Sequence, residues 1–145
     1  MVEIASLTAP DRAEWNHLVR QYMAFYQTVR TDAEYDALWR RLIENREIHA
    51  AGARIDGALV GFAHYLYHAS GWSADVCYLQ DLFVDPQHRG RGIGRALIEF
   101  VARQAQLKQA PRLYWLTQSS NESARALYDK VAAHTGFIGY EKPLI

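Results

Sequence analysis

The chain has 145 residues, with 16 Lys and Arg against 16 Asp and Glu, a single cysteine, and half of its residues hydrophobic. That length suits one domain with one real core, and a charge balance of zero excludes the polybasic surface that general nucleic-acid or membrane-surface binding requires. The lone Cys77 rules out an internal disulfide or a multi-cysteine zinc site, and no apolar stretch approaches the ~18 residues of a membrane span, so we expect a cytoplasmic protein with one domain over 1–145.

Val2 to Leu7 alternates as a short strand. Thr8 then stands as a helix cap, with Pro10 in the first turn and Asp11 at the capping-box position. The helix that follows carries Trp15, Leu18, Val19, Tyr22, Met23 and Tyr26 on one face, spaced three and four apart. Thr31 and Glu34 form a second capping box, and Tyr35, Leu38, Trp39, Leu42 and Ile43 share a face of the next helix. The pattern changes to strands at Ile48. Asp56-Gly57 is a two-residue hairpin turn between Ala50–Ile55 and Ala58–His68. A polar break at Ser70–Asp75 precedes a long strand, Val76–Val84, ended by Pro86. Ile93, Ala96, Leu97, Phe100 and Val101 mark a helix, Leu113–Thr117 a strand, and Ala124, Leu127, Tyr128, Val131 and Ala132 a last helix. Phe137–Leu144 reads as a closing strand. The expected order is β-αα-βββ-α-β-α-β, an α/β fold with a central mixed sheet and helices on both faces.

The richest stretch in chemistry is Val84-Asp-Pro-Gln-His-Arg-Gly-Arg-Gly-Ile-Gly-Arg95, a strand running through glycines into a helix. Gly90, Gly92 and Gly94 let successive N–H groups turn toward one point, and the helix amino end adds partial positive charge there. Arg89, Arg91 and Arg95 surround the loop. Together these residues describe a phosphate or pyrophosphate pocket. The spacing is neither G-x-G-x-x-G with a following ribose-binding acid nor a Walker loop, since no Gly-Lys-Ser/Thr follows.

Arg89-x-x-Gly92-x-Gly94 after Leu82-Phe83-Val84 resembles the acetyl-CoA signature of the Gcn5-related N-acetyltransferases (GNAT). Asn121-Glu-Ser-Ala-Arg-Ala-Leu-Tyr128 resembles the second block of the same family. The resemblance extends over the whole chain and is nearest to the branch with the fungal histone and polyamine acetyltransferases, and to the diamine acetyltransferases. It implies that Leu82, Phe83 and Val84 offer main-chain groups to a pantetheine arm. It further implies that Arg89, Gly90, Arg91, Gly92, Ile93, Gly94 and Arg95 cradle the pyrophosphate. Asn121 and Ala124 would contact the cofactor, and Tyr128 would protonate the leaving thiolate as general acid. Asn121 as a plain helix cap and Tyr128 as plain core packing are the residue-level alternatives.

Diamine acetyltransferases have a glutamate two residues before the Leu-Phe-Val. Here Gln80 stands there, and Asp81 is expected on the opposite face of the strand. Glu122, Asp75 and His68 remain open as bases. Cys77, in an apolar strand with no adjacent histidine, reads as core, which favours direct transfer in a ternary complex. The histidine spacing implies no metal. The expected activity is acetyl transfer from acetyl-CoA to a primary amine of a small molecule or peptide. An inactive acetyl-CoA-binding sensor is the alternative, and Gln80 is its motive. The closing strand could complete its own sheet or pair with a second copy as a homodimer.

Overall fold

The computed structural model describes residues 1–145. Five strands, β1 (Val2–Ser6), β2 (Ile48–Ile55), β3 (Ala58–His68), β4 (Val76–Val84) and β5 (Leu113–Tyr114), lie in the order β1-β2-β3-β4-β5. Four helices are α1 (Arg12–Phe25), α2 (Asp32–Glu44), α3 (Ile93–Leu107) and α4 (Glu122–Val131). β1 to β4 pair antiparallel and β5 joins β4 parallel, which makes the sheet mixed. Helices cover both faces. Trp15, Leu18 and Val19 of α1 and Tyr35, Trp39 and Leu42 of α2 pack on Leu59, Phe62 and Phe83 on one side. On the other, Ile93, Leu97, Ile98 and Val101 of α3 pack on Ala51, Ala63, Tyr65, Cys77 and Leu79.

Local signals explain the element boundaries. The Asp11 carboxylate accepts from the Thr8 N–H at 2.7 Å, but the turn it closes is 3-10 over Ala9–Asp11 and α1 begins one step later. At α2 the Thr31 and Glu34 box is reciprocal, with N–H to side-chain oxygen distances of 2.7 and 3.2 Å. Asp56 and Gly57 both take positive φ, 50° and 82°, as the twist of a two-residue hairpin demands. Arg54 of β2 pairs with Asp11 and Glu14 and pins the hairpin to the start of α1.

The sheet departs from expectation at three places. First, β4 carries a bulge: His64 faces Asp81 while Tyr65 faces Leu79, so Gln80 is the extra residue. Second, β5 pairs only through Leu113 and Tyr114, against Cys77 and Tyr78, instead of running to Thr117. A bulged strand bends, and β4 beyond Tyr78 leaves its parallel neighbour behind. Third, Phe137–Leu144 forms no strand. A two-residue β5 offers no edge long enough to template it, and Gly136, Gly139 and Pro143 weaken its intrinsic extended pairing. Its Phe137, Ile138, Tyr140 and Leu144 side chains are exposed. The observed order is therefore β-αα-βββ-α-β-α.

Candidate functional site

The glycine loop sits where β4 passes into α3. Gly90 and Gly92 adopt φ of 78° and 76°, and Gly92 is the residue that caps α3. No side chain caps this helix, so its first-turn N–H groups point out of the loop without a side-chain acceptor. A Cβ added to Gly90 or Gly92 would meet nothing within 4 Å; glycine is required there by backbone conformation. Gly94 differs. A Cβ there would approach the Leu127 side chain of α4 to 3.2 Å, a tight contact that Leu127 would have to relieve by a small shift. The Arg89 side chain donates to the Val84 carbonyl at 3.2 Å and folds back over the Phe83 ring, while Arg91 and Arg95 are exposed.

Beside this loop β4 has a free edge. Its pairing with β5 ends at Tyr78, so from Leu79 to Val84 the main chain on that side faces no strand. Phe83 is buried under the α1 face, and Leu82 and Val84 are partly buried toward the α3 face. The far wall is α4. Asn121 caps it, its side-chain oxygen accepting from the Ala124 N–H at 3.4 Å. Ala124 is partly buried. Tyr128 packs against Trp115 with ring centroids 5.3 Å apart. Burial, and then the neighbouring Tyr26, push the Tyr128 pKa above that of an ordinary phenol, which keeps its proton in place across the neutral range.

A cavity of about 260 Å³ opens on the α1 and α2 side of β4, lined by Tyr22, Met23, Arg30, Glu34, Gln80 and Asp81 among others. Behind Tyr22 and Asp81 of its lining runs a string of hydrogen bonds. Trp15 Nε1–H donates to His64 Nε2 at 3.0 Å, His64 Nδ1 lies 2.9 Å from Asp81 Oδ2, and the Tyr22 hydroxyl donates to Asp81 Oδ1 at 3.0 Å. An indole nitrogen can only donate, so Nε2 accepts and the His64 proton resides on Nδ1, directed at Asp81. His64 is fully buried; the Asp81 side chain retains 17% exposure. Burial, reinforced by the Asp81 charge, raises the Tyr22 pKa far out of reach, so this phenol is a fixed donor.

Residues 15–133 match the acetyltransferase (GNAT) family. The chain belongs to the GNAT acetyltransferase family. It is an N-acetyltransferase, and this GNAT is 33% identical to the D-amino-acid N-acetyltransferase HPA3 of Saccharomyces cerevisiae over 97% of the chain and 90% of that protein. It is 32% identical to the thialysine N-epsilon-acetyltransferase of Caenorhabditis elegans, covering 89% of this chain and 81% of the other. In fold it is similar to the aminoglycoside N-acetyltransferase AAC(6')-Iy in complex with the bisubstrate analogue CoA-S-monomethyl-acetylneamine, with a TM-score of 0.88, 19% identity, and coverage of 100% and 99% of the two chains.

Several expectations about the site of this GNAT change with the geometry. Asp81 does not point away from the Gln80 side. Before the bulge, Cys77 and Leu79 face α3; after it, Asp81 and Phe83 face α1. The bulged Gln80 therefore shares a side with Asp81, and both line the cavity. Of the bases left open, Asp75 and Glu122 are exposed, and His68 bonds the Tyr114 hydroxyl at 3.0 Å. None of the three lines the cavity. His64, Trp15 and Asp81 form a unit that spacing alone missed. The available signal was the polar pair Gln80-Asp81 inside a strand otherwise apolar on both faces, since two adjacent polar residues break a period of two.

Two further features fall outside the chemistry. A larger groove of about 550 Å³ between α1 and α2 is lined by Arg12, Arg20, Asp32 and Asp36, whose charges neutralise one another across it. Cys77 is fully buried, and burial pushes its thiol up to about 11 despite a hydrogen bond with Tyr67 that acts the other way. No group of three His, Cys, Asp or Glu side chains has the arrangement to hold a metal ion.

Proposed function

We propose that this GNAT carries the acetyl group of acetyl-CoA to a small-molecule primary amine by direct attack in a ternary complex, the 145 residues acting as one catalytic domain. The free edge of β4 between the glycine loop and α4 carries this reading. An amide-rich pantetheine arm is a peptide analogue that can pair with the main chain of Leu82, Phe83 and Val84. The loop fits the remainder of the cosubstrate: positive-φ glycines and an uncapped helix end offer N–H groups to a pyrophosphate, with Arg89, Arg91 and Arg95 as supporting charge and Ile93 anchored in the core. Once bound, the cosubstrate supplies an activated acetyl thioester.

Tyr128 is the general acid in this reading. Its raised pKa keeps the phenol protonated until a thiolate departs, and the phenolate left behind is a base strong enough to take a proton from the nitrogen as it becomes an amide. Asn121 both caps α4 and turns its Nδ2 toward the Thr117 hydroxyl, 3.5 Å away, at the mouth where the cofactor arm and Ala124 would meet. Relatives named for D-amino acids and thialysine support an amino-acid-like acceptor, and Arg30 at the cavity rim, held only loosely by Glu34 at 3.8 Å, can meet its carboxylate. Such a protein works where acetyl-CoA is supplied, which we take to be the cytoplasm. The exposed Phe137, Ile138, Tyr140 and Leu144 suit pairing with a second copy, and a monomer mass in light scattering at micromolar concentration would remove the homodimer.

Tyr128→Phe tests the central assignment. Turnover should fall on the order of a hundredfold while the acetyl-CoA dissociation constant changes little. Undiminished thiol release by the variant would take Tyr128 out of the mechanism.

A further inference from the structure

The cavity beside β4 contains a carboxylate with no cationic partner. Glu34, at its rim, is engaged: it accepts from the Thr31 N–H at 2.7 Å as a helix cap and lies 3.8 Å from Arg30. Asp81 is held by neutral donors, the Tyr22 hydroxyl and His64 Nδ1–H, and no Lys or Arg pairs with it. A charge kept partly desolvated and paired only with neutral donors is costly unless something positive arrives. Gln80 adds a long contact at 3.5 Å from the same side.

Resting on the acetyl-transfer reading, we infer that Asp81 receives the acceptor's ammonium and takes its proton, and that His64, its tautomer fixed by Trp15, is the positioning residue. The groups facing Asp81 are Tyr22 from α1, His64 from β3, and Gln80 and Tyr78 from β4, with Arg30 and Glu34 across the cavity and Tyr26 and Tyr128 beyond Tyr22. None of the close partners is a permanent cation, so the ammonium is the natural counter-charge. Binding it as a cation also solves a supply problem, because at neutral pH an alkyl amine is almost entirely protonated while only the free base attacks.

One N–H bond of the ammonium breaks toward an Asp81 oxygen, and the nitrogen lone pair forms the C–N bond at the acetyl carbonyl carbon. The C–S bond then breaks with its electron pair left on sulfur, which takes the Tyr128 proton. The nitrogen, becoming an amide, gives its second proton back to the Tyr128 oxygen. Asp81 releases its proton to water at the cavity mouth. The products are the amide, the free thiol and one proton. His64 takes no part in the proton transfer; its Nε2 remains the acceptor of the Trp15 N–H.

The test uses the full chain, D-alanine against 3-fluoro-D-alanine, and lysine against thialysine, pairs in which the second amine is the weaker base. In Asp81→Asn, kcat/KM for the stronger bases should fall about tenfold for each pH unit below the amine's own pKa, tracking the free amine. The wild type should hold its rate over the same range. The loss should shrink with the weaker bases, and acetyl-CoA binding should persist. A wild-type pH profile in the variant, or an equal loss with strong and weak bases, would overturn the inference alone. A wild type that releases no thiol with any of the four amines would overturn the transfer reading and this inference together. For His64, Asn keeps a donor at the Nδ1 position and Leu removes it. Acceptor KM should rise about tenfold in His64→Leu and substantially less in His64→Asn, with acetyl-CoA binding unchanged in both; an equal effect of the two would reduce His64 to packing.

Discussion

The glycine loop and the Trp15–His64–Asp81 string adjoin the same strand, and in the proposed reading they serve opposite kinds of recognition. The loop offers main-chain N–H groups at Gly90 to Arg95, aimed by backbone conformation and a helix end. The string offers side chains, delivered from α1, β3 and β4 and aimed by hydrogen bonds to one another. Main-chain recognition tolerates changes of side chain so long as the φ values survive. Side-chain recognition depends on every member of the string, and on the one-residue bulge that swings Asp81 to the α1 side. A shared pyrophosphate is suited to the first kind and a variable acceptor to the second.

Three substitutions sharpen the contrast. Gly92→Val places a β-branched residue at φ of 76°, where strain of about 1–3 kcal/mol should raise acetyl-CoA KM some ten- to a hundredfold. Acceptor KM should hold; if it rises equally in steady-state kinetics, the two flanks are not separate. Trp15→Phe acts on the other flank. It leaves His64 Nε2 buried without a donor, which costs about 1–3 kcal/mol, a fall of several degrees in Tm by calorimetry. Acceptor KM should rise a few-fold with acetyl-CoA KM unchanged, and the reverse pattern would break the division. The smallest effect belongs to Cys77, in the core between the flanks. Cys77→Ala should cost about 1–2 kcal/mol of stability and leave kcat within about twofold, whereas a covalent acyl carrier would lose turnover outright.

The pH dependence of stability follows the same core. Burial raises Tyr65 to about 12 and Cys77 to about 11, both above their unfolded values. The unfolded chain therefore loses these protons first. Their contribution is fully present below the unfolded thiol value of 9.0 and is lost as pH rises through the folded values. Denaturant midpoints should be flat with respect to these groups below that point and decline above it; a decline beginning near neutrality would need another group.

Recurring local chemistry made the loop legible. Glycines with positive φ, a strand entering a helix and an Asn cap leave marks within a dozen residues, as do the Thr31 and Glu34 box and the Asp56-Gly57 turn. The Asp81 flank was not legible for a reason of phase. Counting in twos along β4 gives Asp81 the wrong face, because the bulge at Gln80 depends on pairing with β3, 17 residues away in the case of His64 and Asp81. Phe137–Leu144 failed differently: its residues favour an extended chain, but a strand exists only with a neighbour, and β5 ends at Tyr114. Composition speaks for the segment and is silent about its partner.

Gly94 sets α3 against α4. A Cβ at this position would come within 3.2 Å of the Leu127 side chain, so a larger residue there has to displace that side chain. In the proposed reading α3 holds the pyrophosphate and α4 carries Tyr128. The contact at Gly94 would then gauge the spacing between phosphate anchor and phenol.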